Sequence, residues 1–267
     1  PRGQDFKKGE VLLSANTRLN SRSLMLAAAM NHAELPVRRK PKVAILATGD
    51  EVVAPGSELA PDQIVSSVPY GVGALVEAKG GEAMSLGIAK DDVESLVTLA
   101  RAGRGADILV TIGGASVGER DLVAGALRGE GLELDFWKIA MRPGKPMLYG
   151  RMGNQRVIGL PGNPVSAMIC ARVFLVPMLR RLLGLAAELS TQEAVLGEAV
   201  EANGPREHYM RAVSDWTPTG ERVVRPLASQ DSSLVSDLAR ADCLIVRSVD
   251  APAAAKGSRV RILPLDD

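Results

Sequence analysis

The run D-I-L-V-T-I-G-G-A-S-V-G-E-R-D (Asp107–Asp121) opens as a nearly unbroken apolar segment and ends in a glycine-punctuated polar loop. Five or six residues without polar alternation mark a strand buried on both faces. K-V-A-I-L-A-T-G (Lys42–Gly49) repeats the pattern and also ends in a turn. Between and after these strands lie segments of the other period. A helix is expected from about Ser67 to Lys79, closed by Gly80-Gly81, and a strand near Ala83–Ala89. Asp91 or Asp92 caps a helix through Leu99 that ends near Gly103, and Asp121–Arg128 reads as a short helix. A strand over Leu132–Ile139 follows, then a pair, Met147–Tyr149 and Val157–Leu160, around G-R-M-G-N (Gly150–Asn154). A helix from Pro164 to about Leu183 closes the region at Gly184. Strands and helices alternating in this way predict an α/β fold: a mostly parallel sheet, right-handed crossovers and helices on both faces. Ligands in such folds bind beyond the carboxyl ends of the strands, where Thr48–Glu51 and Gly113–Asp121 fall.

Residues 1–40 read as a remnant segment and linker, 41–186 as the α/β domain and 187–267 as a small β-rich domain. In the first, Glu10–Leu13 is expected to be a short strand, Asn20 or Ser21 to cap a helix, and R-R-K-P (Arg38–Pro41) to be a solvated hinge. In the last, alternating runs Ala194–Val200, Tyr209–Trp216 and Arg222–Leu227 precede a helix at Ser233–Ala241 and strands at Cys243–Val249 and Arg259–Leu263. The chain opens P-R-G-Q-D-F-K-K-G-E, with no apolar core of a signal peptide and no initiator Met, and reads as part of something longer. Its most apolar stretch, Val165–Leu179, contains Arg172 and Pro177 and reads as a buried helix rather than a membrane span.

A chain of 267 residues with net charge +1 has no global pull toward nucleic acid or an anionic membrane. Its scarce aromatics, 3%, disfavour a stacking platform for single strands. Cys170 and Cys243 sit in apolar runs without metal-ligand spacing and read as reduced core residues of a cytoplasmic protein. With only 2 histidines, no multi-histidine metal site, Ser-His-Asp triad or Cys-His pair can be assembled.

The charge is nonetheless unevenly placed. Phe136–Ala187 contains no Asp or Glu, yet Lys138, Arg142, Lys145, Arg151, Arg156, Arg172, Arg180 and Arg181 all fall inside it. An anion-binding cleft is the first expectation. Gly113-Gly114 after a buried strand lets backbone N–H groups converge on a phosphate, with the Ser116 hydroxyl beside them; the alternative use is a tight turn with Asp121 as helix cap. Gly113 and Gly118 have P-loop spacing, but Glu119-Arg120 replaces the Lys-Ser/Thr that a Walker site needs. Thr48–Glu51 sets the carboxylates Asp50 and Glu51 at another strand end, suited to Mg²⁺ shared with substrate oxygens, or to capping and solvation. If Phe136–Ile139 is extended, Lys138 shares a face with Phe136 and Ala140, while Arg142 and Lys145 flank the Pro143-Gly144 turn. Arg offers a planar fork to oxyanions and Lys a point charge. G-L-P-G-N-P-V-S (Gly159–Ser166) ends a strand and starts a helix with Pro164 in its first turn; Asn163 can cap it, and the free N–H groups beyond can take an anion. Trp137, Tyr209 and Trp216 read as packing or rim residues.

T-G-D-E-V (Thr48–Val52), G-G-A-S-V-G-E-R-D (Gly113–Asp121), F-W-K-I-A-M-R-P-G-K-P (Phe136–Pro146) and G-L-P-G-N-P-V-S-A (Gly159–Ala167) together resemble the MoeA family of molybdopterin molybdenumtransferases, related to the E domain of gephyrin. G-Q-D-F-K-K-G-E-V-L-L (Gly3–Leu13) is similar to that family's re-entry into its first domain, so the resemblance spans essentially the whole chain. It implies insertion of molybdate into adenylylated molybdopterin, with release of AMP and a requirement for Mg²⁺. It also implies metal-managing carboxylates at Asp50, Glu51 and Asp121, and oxyanion contacts at Lys138, Arg142 and Lys145. Thr48, Gly113, Gly114, Ser116, Gly118, Pro161, Gly162, Asn163, Pro164 and Ser166 are then the binding cleft. Arg142 stands where some relatives carry Lys, which keeps charge but changes hydrogen-bond geometry. The resemblance further implies small anionic substrates, a cytoplasmic homodimer, and the pathway's adenylyltransferase as a partner, with no nucleic acid or membrane. Family members carry a longer first domain and an inserted second one ahead of the position of Pro1. Two rivals stand beside this reading: molybdopterin adenylyltransferase, which shares the α/β domain, and a non-catalytic molybdopterin-binding scaffold. Glu119 and the β-rich tail after Glu188 favour the molybdenumtransferase.

Overall fold

The structure, a computed structural model, describes residues 3–114 and 122–265. It opens with α1 (Ser21–Ala29), whose end is fixed by Asn20 Oδ1 accepting from the Ser23 N–H at 3.0 Å. The α/β region then runs β1 (Lys42–Thr48), the short pair β2 (Val52–Val53) and β3 (Ile64–Val65), α2 (Val68–Ala78), β4 (Glu82–Ala89), α3 (Val93–Ala102), β5 (Ile108–Ile112) and α4 (Leu122–Gly129). It continues with β6 (Leu132–Trp137), β7 (Met141–Arg142), β8 (Leu148–Met152), β9 (Gln155–Leu160) and α5 (Pro164–Cys170). A π-helical turn at Ala171–Leu175 links α5 to α6 (Val176–Leu182). Pro177 accounts for that turn: it has no N–H for the Val173 carbonyl, and a wider turn relieves the ring's clash with the preceding backbone.

The first sheet has the order β4-β1-β5-β9-β8-β6. β4, β1, β5 and β9 pair in parallel; β8 is antiparallel to both β9 and β6, so β8 alone runs the other way. Both faces are covered. Val43 and Ile45 of β1 point with Val110 and Ile158 toward α2 and α5, while Ala44 and Leu46 point with Leu109 and Val157 toward α3 and α4. Alternation therefore operates inside a run that is apolar throughout, because each face meets its own helices. Asp92 caps α3 through its carboxylate, 2.7 Å from the Ser95 nitrogen.

The second sheet uses β10 (Gln192–Leu196), β11 (Glu207–Trp216), β12 (Arg222–Pro226), β13 (Cys243–Arg247) and β14 (Arg259–Pro264), with α7 (Val235–Arg240) outside. β12 pairs with both β10 and β11, so these five strands close on themselves around Ala194, Leu196, Ala212, Val224, Ile245 and Ile262. Closure removes the exposed edges that a sheet this small would otherwise present. β7, from the middle of the α/β region, joins this barrel beside β11, with Met141 opposite Glu207 and Arg142 opposite His208.

Three local expectations are corrected. Glu10–Leu13 is not a strand; Val11 is 80% exposed and no sheet edge meets it. β6 stops at Trp137, and Lys138 takes a positive φ of 72°, so the face shared with Phe136 and Ala140 does not form. The basic run before β1 is not simply solvated: Arg39 forks onto both oxygens of Asp107 at 2.7 and 2.6 Å, and Asp107 also accepts from the Lys42 N–H. That pairing holds the Asp107 carboxyl below its ordinary pKa. Cys170 and Cys243 are buried free thiols, and burial pushes each up to about 12.

Candidate functional site

The carboxyl ends of β1, β5 and β9 open into a cavity of about 580 Å³. Thr48, Glu51, Ser66, Asp91, Gly113, Asn163 and Pro164 are among its lining residues. Thr48 is buried, and its hydroxyl donates to the Ile112 carbonyl at 3.4 Å, tying adjacent strand ends together. Gly113 has φ +91°, and a Cβ there would lie 2.8 Å from the Thr48 carbonyl oxygen. Only glycine lets the β5 turn pass this close to β1. Gly114 is likewise at positive φ, against Val123. Ser116, Gly118 and Asp121 lie outside the described residues.

The two expected carboxylates part company. Glu51 lines the cavity, whereas the Asp50 carboxylate accepts the Asp91 N–H at 3.1 Å, an ordinary turn bond. Asp91, which sequence reasoning gave only a capping role, lines the same cavity. The Ser66 hydroxyl is buried and finds no partner among the described residues. Glu51, Asp91 and Ser66 thus give this compartment hard oxygen donors, although the described residues contain no cluster of three His, Cys, Asp or Glu side chains placed to hold a metal ion.

A second cavity of about 570 Å³ lies on the other side of the Gly162-Asn163 turn, and those two residues line both compartments. Its walls bring together Arg142, Lys145, Pro161, Ser166, Arg206 and Ser232. The R-P-G-K-P turn reaches it because both ends are held: Ile139 N–H donates to Lys145 O at 3.1 Å, and Glu207 N–H to Ala140 O at 2.9 Å. The Arg142–Pro143 peptide is cis. Gly144, at φ +111°, packs its backbone onto Cys170 and Met141, where a Cβ has no room. Lys138 lines neither cavity; its ammonium sits 4.0 Å from the centroid of the Trp137 ring, a cation–π contact.

Two helix-start expectations are also corrected. Asn163 occupies the cap position of α5 but makes no cap hydrogen bond; its amide donates to Ser232 Oγ at 2.9 Å. The Val165 N–H is not free for an anion, because it donates to the Ser232 carbonyl at 3.1 Å. The segment 229–233 of the barrel region thus forms one wall of the cleft. Sequence reasoning missed Arg206, Gln230, Asp231 and Ser232; the polar run S-Q-D-S-S (Ser229–Ser233) was the only signal for the last three, and it does not include Arg206.

His208 is 7% exposed, behind Arg142. Burial pulls its imidazole down to about 4, and Arg142, Arg206, Arg211 and Arg247 push in the same direction. The group is neutral at pH 7, so the positive character of this compartment comes from Arg and Lys alone.

The family profile described as a probable molybdopterin binding domain matches residues 44–181, which carry β1, β5 and β9. A second, described as the MoeA C-terminal region (domain IV), matches 193–265, the barrel. The chain belongs to the MoeA family. It is 33% identical to the molybdopterin molybdenumtransferase of Haemophilus influenzae over 99% of this chain and 66% of that protein. With the molybdopterin molybdenumtransferase of a Nostoc species it shares 32% identity over 97% of this chain and 61% of the relative. The crystal structure of a molybdopterin biosynthesis MoeA protein from Pyrococcus superposes with a TM-score of 0.85 at 30% identity, covering 98% of this chain and 64% of that one. The chain therefore spans just under two thirds of the length of these MoeA relatives.

Proposed function

We propose that this chain serves molybdenum cofactor biosynthesis by inserting molybdate into adenylylated molybdopterin and releasing AMP. The observation that carries the reading is the pairing of two compartments across Gly162-Asn163, one at the parallel strand ends and one walled by Arg142, Lys145 and Arg206. Every participant is an anion, so the first task of the site is to bring like charges together. Arg142, Lys145 and Arg206 lower the repulsion between molybdate and the substrate phosphates and stabilise the charge that gathers on the departing AMP phosphate. Ser166 and Ser232 offer hydroxyl donors that orient oxyanions on the same wall. The glycine turn at Gly113-Gly114 leaves room for a backbone approach to phosphate.

Glu51 and Asp91, with the unpartnered Ser66 hydroxyl, are the oxygen donors that would hold Mg²⁺, and Asp121 is the third expected carboxylate. When bound, that ion neutralises phosphate charge. Asp50 and Asp91 exchange bonds, the Asp50 carboxylate accepting the Asp91 N–H at 3.1 Å and the Asp91 carboxylate the Asp50 N–H at 3.4 Å; Asp50, which does not line the cavity, acts in this reading through the turn they hold. Lys138 enters as a rim cation, held over Trp137. The barrel's contribution of Arg206 and Ser232 supports the molybdenumtransferase over the adenylyltransferase, and the further expectations are a cytoplasmic homodimer handling small anions supplied by that adenylyltransferase. Among the described residues, no helix is long and apolar enough to cross a membrane.

The test is AMP release from adenylylated molybdopterin in the presence of molybdate. Lys145→Ala and Arg142→Ala should each lower turnover by roughly 10²–10³-fold, the scale of losing one charge-stabilising group. ATP with unmodified molybdopterin should give no adenylylated product. Unchanged AMP release in both variants removes the oxyanion role of this wall.

A further inference from the structure

Arg211 is 1% exposed, the largest fully buried side chain of the described residues. A guanidinium in such a place normally faces a carboxylate, because burial of an unpaired charge is costly. Among the described residues Arg211 forms no ion pair. Its Nη2 donates to the Ser229 carbonyl at 3.1 Å and its Nη1 to the Leu234 carbonyl at 3.4 Å. Burial works against its charge, and Asp237 and Asp231 offset part of that.

The two carbonyls are the ends of the loop that enters the cleft. Gln230, inside that loop, completes the arrangement in both directions: its carbonyl accepts the Arg211 N–H at 2.9 Å, and its amide donates to Arg211 O and Leu227 O, both at 3.0 Å. What lies between the anchors is the cleft wall. Ser232 gives its carbonyl to the Val165 N–H and its hydroxyl oxygen to the Asn163 amide. Asp231 turns back on Ser233, accepting from its N–H at 2.9 Å and its hydroxyl at 2.8 Å. Charge-assisted bonds to two carbonyls five residues apart fix the span of a loop in a way that neutral side chains cannot.

We propose that Arg211, latched to Gln230, is the positioning residue that sets the Ser229–Leu234 loop and so places Ser232 in the anion compartment. Arg211 lines neither compartment; it acts on the cleft through the loop. The ligand half of the test rests on the oxyanion reading of the cleft, and the backbone half does not.

Arg211→Met is compared with the wild type by amide hydrogen exchange and by calorimetric titration with molybdate. Exchange at Val165 and Ser233 should quicken by about tenfold or more, with the β13 amides Leu244–Val246 unchanged. Molybdate should bind about tenfold more weakly, the cost of charged hydrogen bonds lost at one remove. Arg211→Lys, which keeps the charge but reaches fewer acceptors, should recover part of both. If Arg211→Met does not fold, Gln230→Ala carries the exchange measurement, with the same local pattern at smaller size. Unchanged exchange at Val165, or an even rise across the whole barrel, overturns the latch. Failure of the wild type to bind molybdate overturns the oxyanion reading while exchange still judges the latch.

Discussion

The two walls of the cleft are built by different means. The strand-end wall, from Thr48–Val52 and Gly113-Gly114, comes from neighbouring strands of one sheet, and its shape follows from glycine allowing β5 to turn against β1. The cationic wall has no such single origin. Arg142 and Lys145 come from the α/β region, Arg206 and Ser232 from the barrel region, and they meet because β7 pairs with β11 while Ser232 pairs with Asn163 and Val165. One wall depends on local backbone geometry and the other on the register between two sheets. Damage to each should therefore look different.

Gly113→Ala and Gly144→Ala separate the two most strongly. Both sites have positive φ, +91° and +111°. At Gly113 the new methyl meets the Thr48 carbonyl at 2.8 Å, which is backbone inside a buried strand. At Gly144 it meets the side-chain ends of Cys170 and Met141, which must shift to admit it but are not backbone. Backbone strain and overpacking together should cost about 3–4 kcal/mol at Gly113 and about 2 kcal/mol at Gly144. Urea denaturation midpoints check the ranking; a larger loss at Gly144 would show that the cationic wall is the more rigid one.

The same contrast explains what was legible in the sequence. The apolar runs placed β1 and β5, because strands buried on both faces leave an unambiguous pattern, and β9 was placed as one half of a pair with β8. The runs also marked the glycine turns at their ends. Arg142 and Lys145 were visible as cations in an acid-free stretch, but Arg206 and Ser232 were not, since nothing local to them encodes a strand pairing 65 residues away or more, as β7 with β11 is. The expected face of Lys138 is missing for a related reason: alternation assumes an extended chain, and with Lys138 at φ +72° the strand ends at Trp137 rather than at Ile139. Asp50 and Glu51 looked equivalent as neighbours, and the Asp91 N–H is what divides them.

A smaller effect belongs to the cationic wall. His208 lies opposite Arg142 with its pKa drawn down to about 4 from an ordinary 6.5. Between those values the unfolded chain takes up a proton that the native protein refuses, so stability is complete above the ordinary value and falls as pH drops toward 4. His208→Gln removes this contribution. Denaturant midpoints at pH 7 and pH 4.5 should differ less in the variant than in the wild type, by on the order of 1 kcal/mol after solvent screening. An equal pH dependence would mean that the native His208 keeps its ordinary pKa, and that burial beside its neighbouring arginines does not hold it neutral.

The smallest effect tests whether the cationic wall is tuned as well as assembled. Asp231 is a carboxylate in the compartment that holds Arg142, Lys145 and Arg206, and the Ser233 N–H and hydroxyl hold its pKa below the ordinary range. It is therefore charged wherever the site works, and it opposes any anion that enters. Its bonds to Ser233 make it useful to the loop, so the charge and the shape can be separated by a neutral isostere. Asp231→Asn keeps an acceptor for Ser233 and removes the charge; molybdate should then bind about threefold more tightly at low salt, with the gain fading as ionic strength rises. Weaker binding in the variant would place the carboxylate's loop bonds above its charge, and the cationic wall would then resemble the strand-end wall, governed by backbone geometry first.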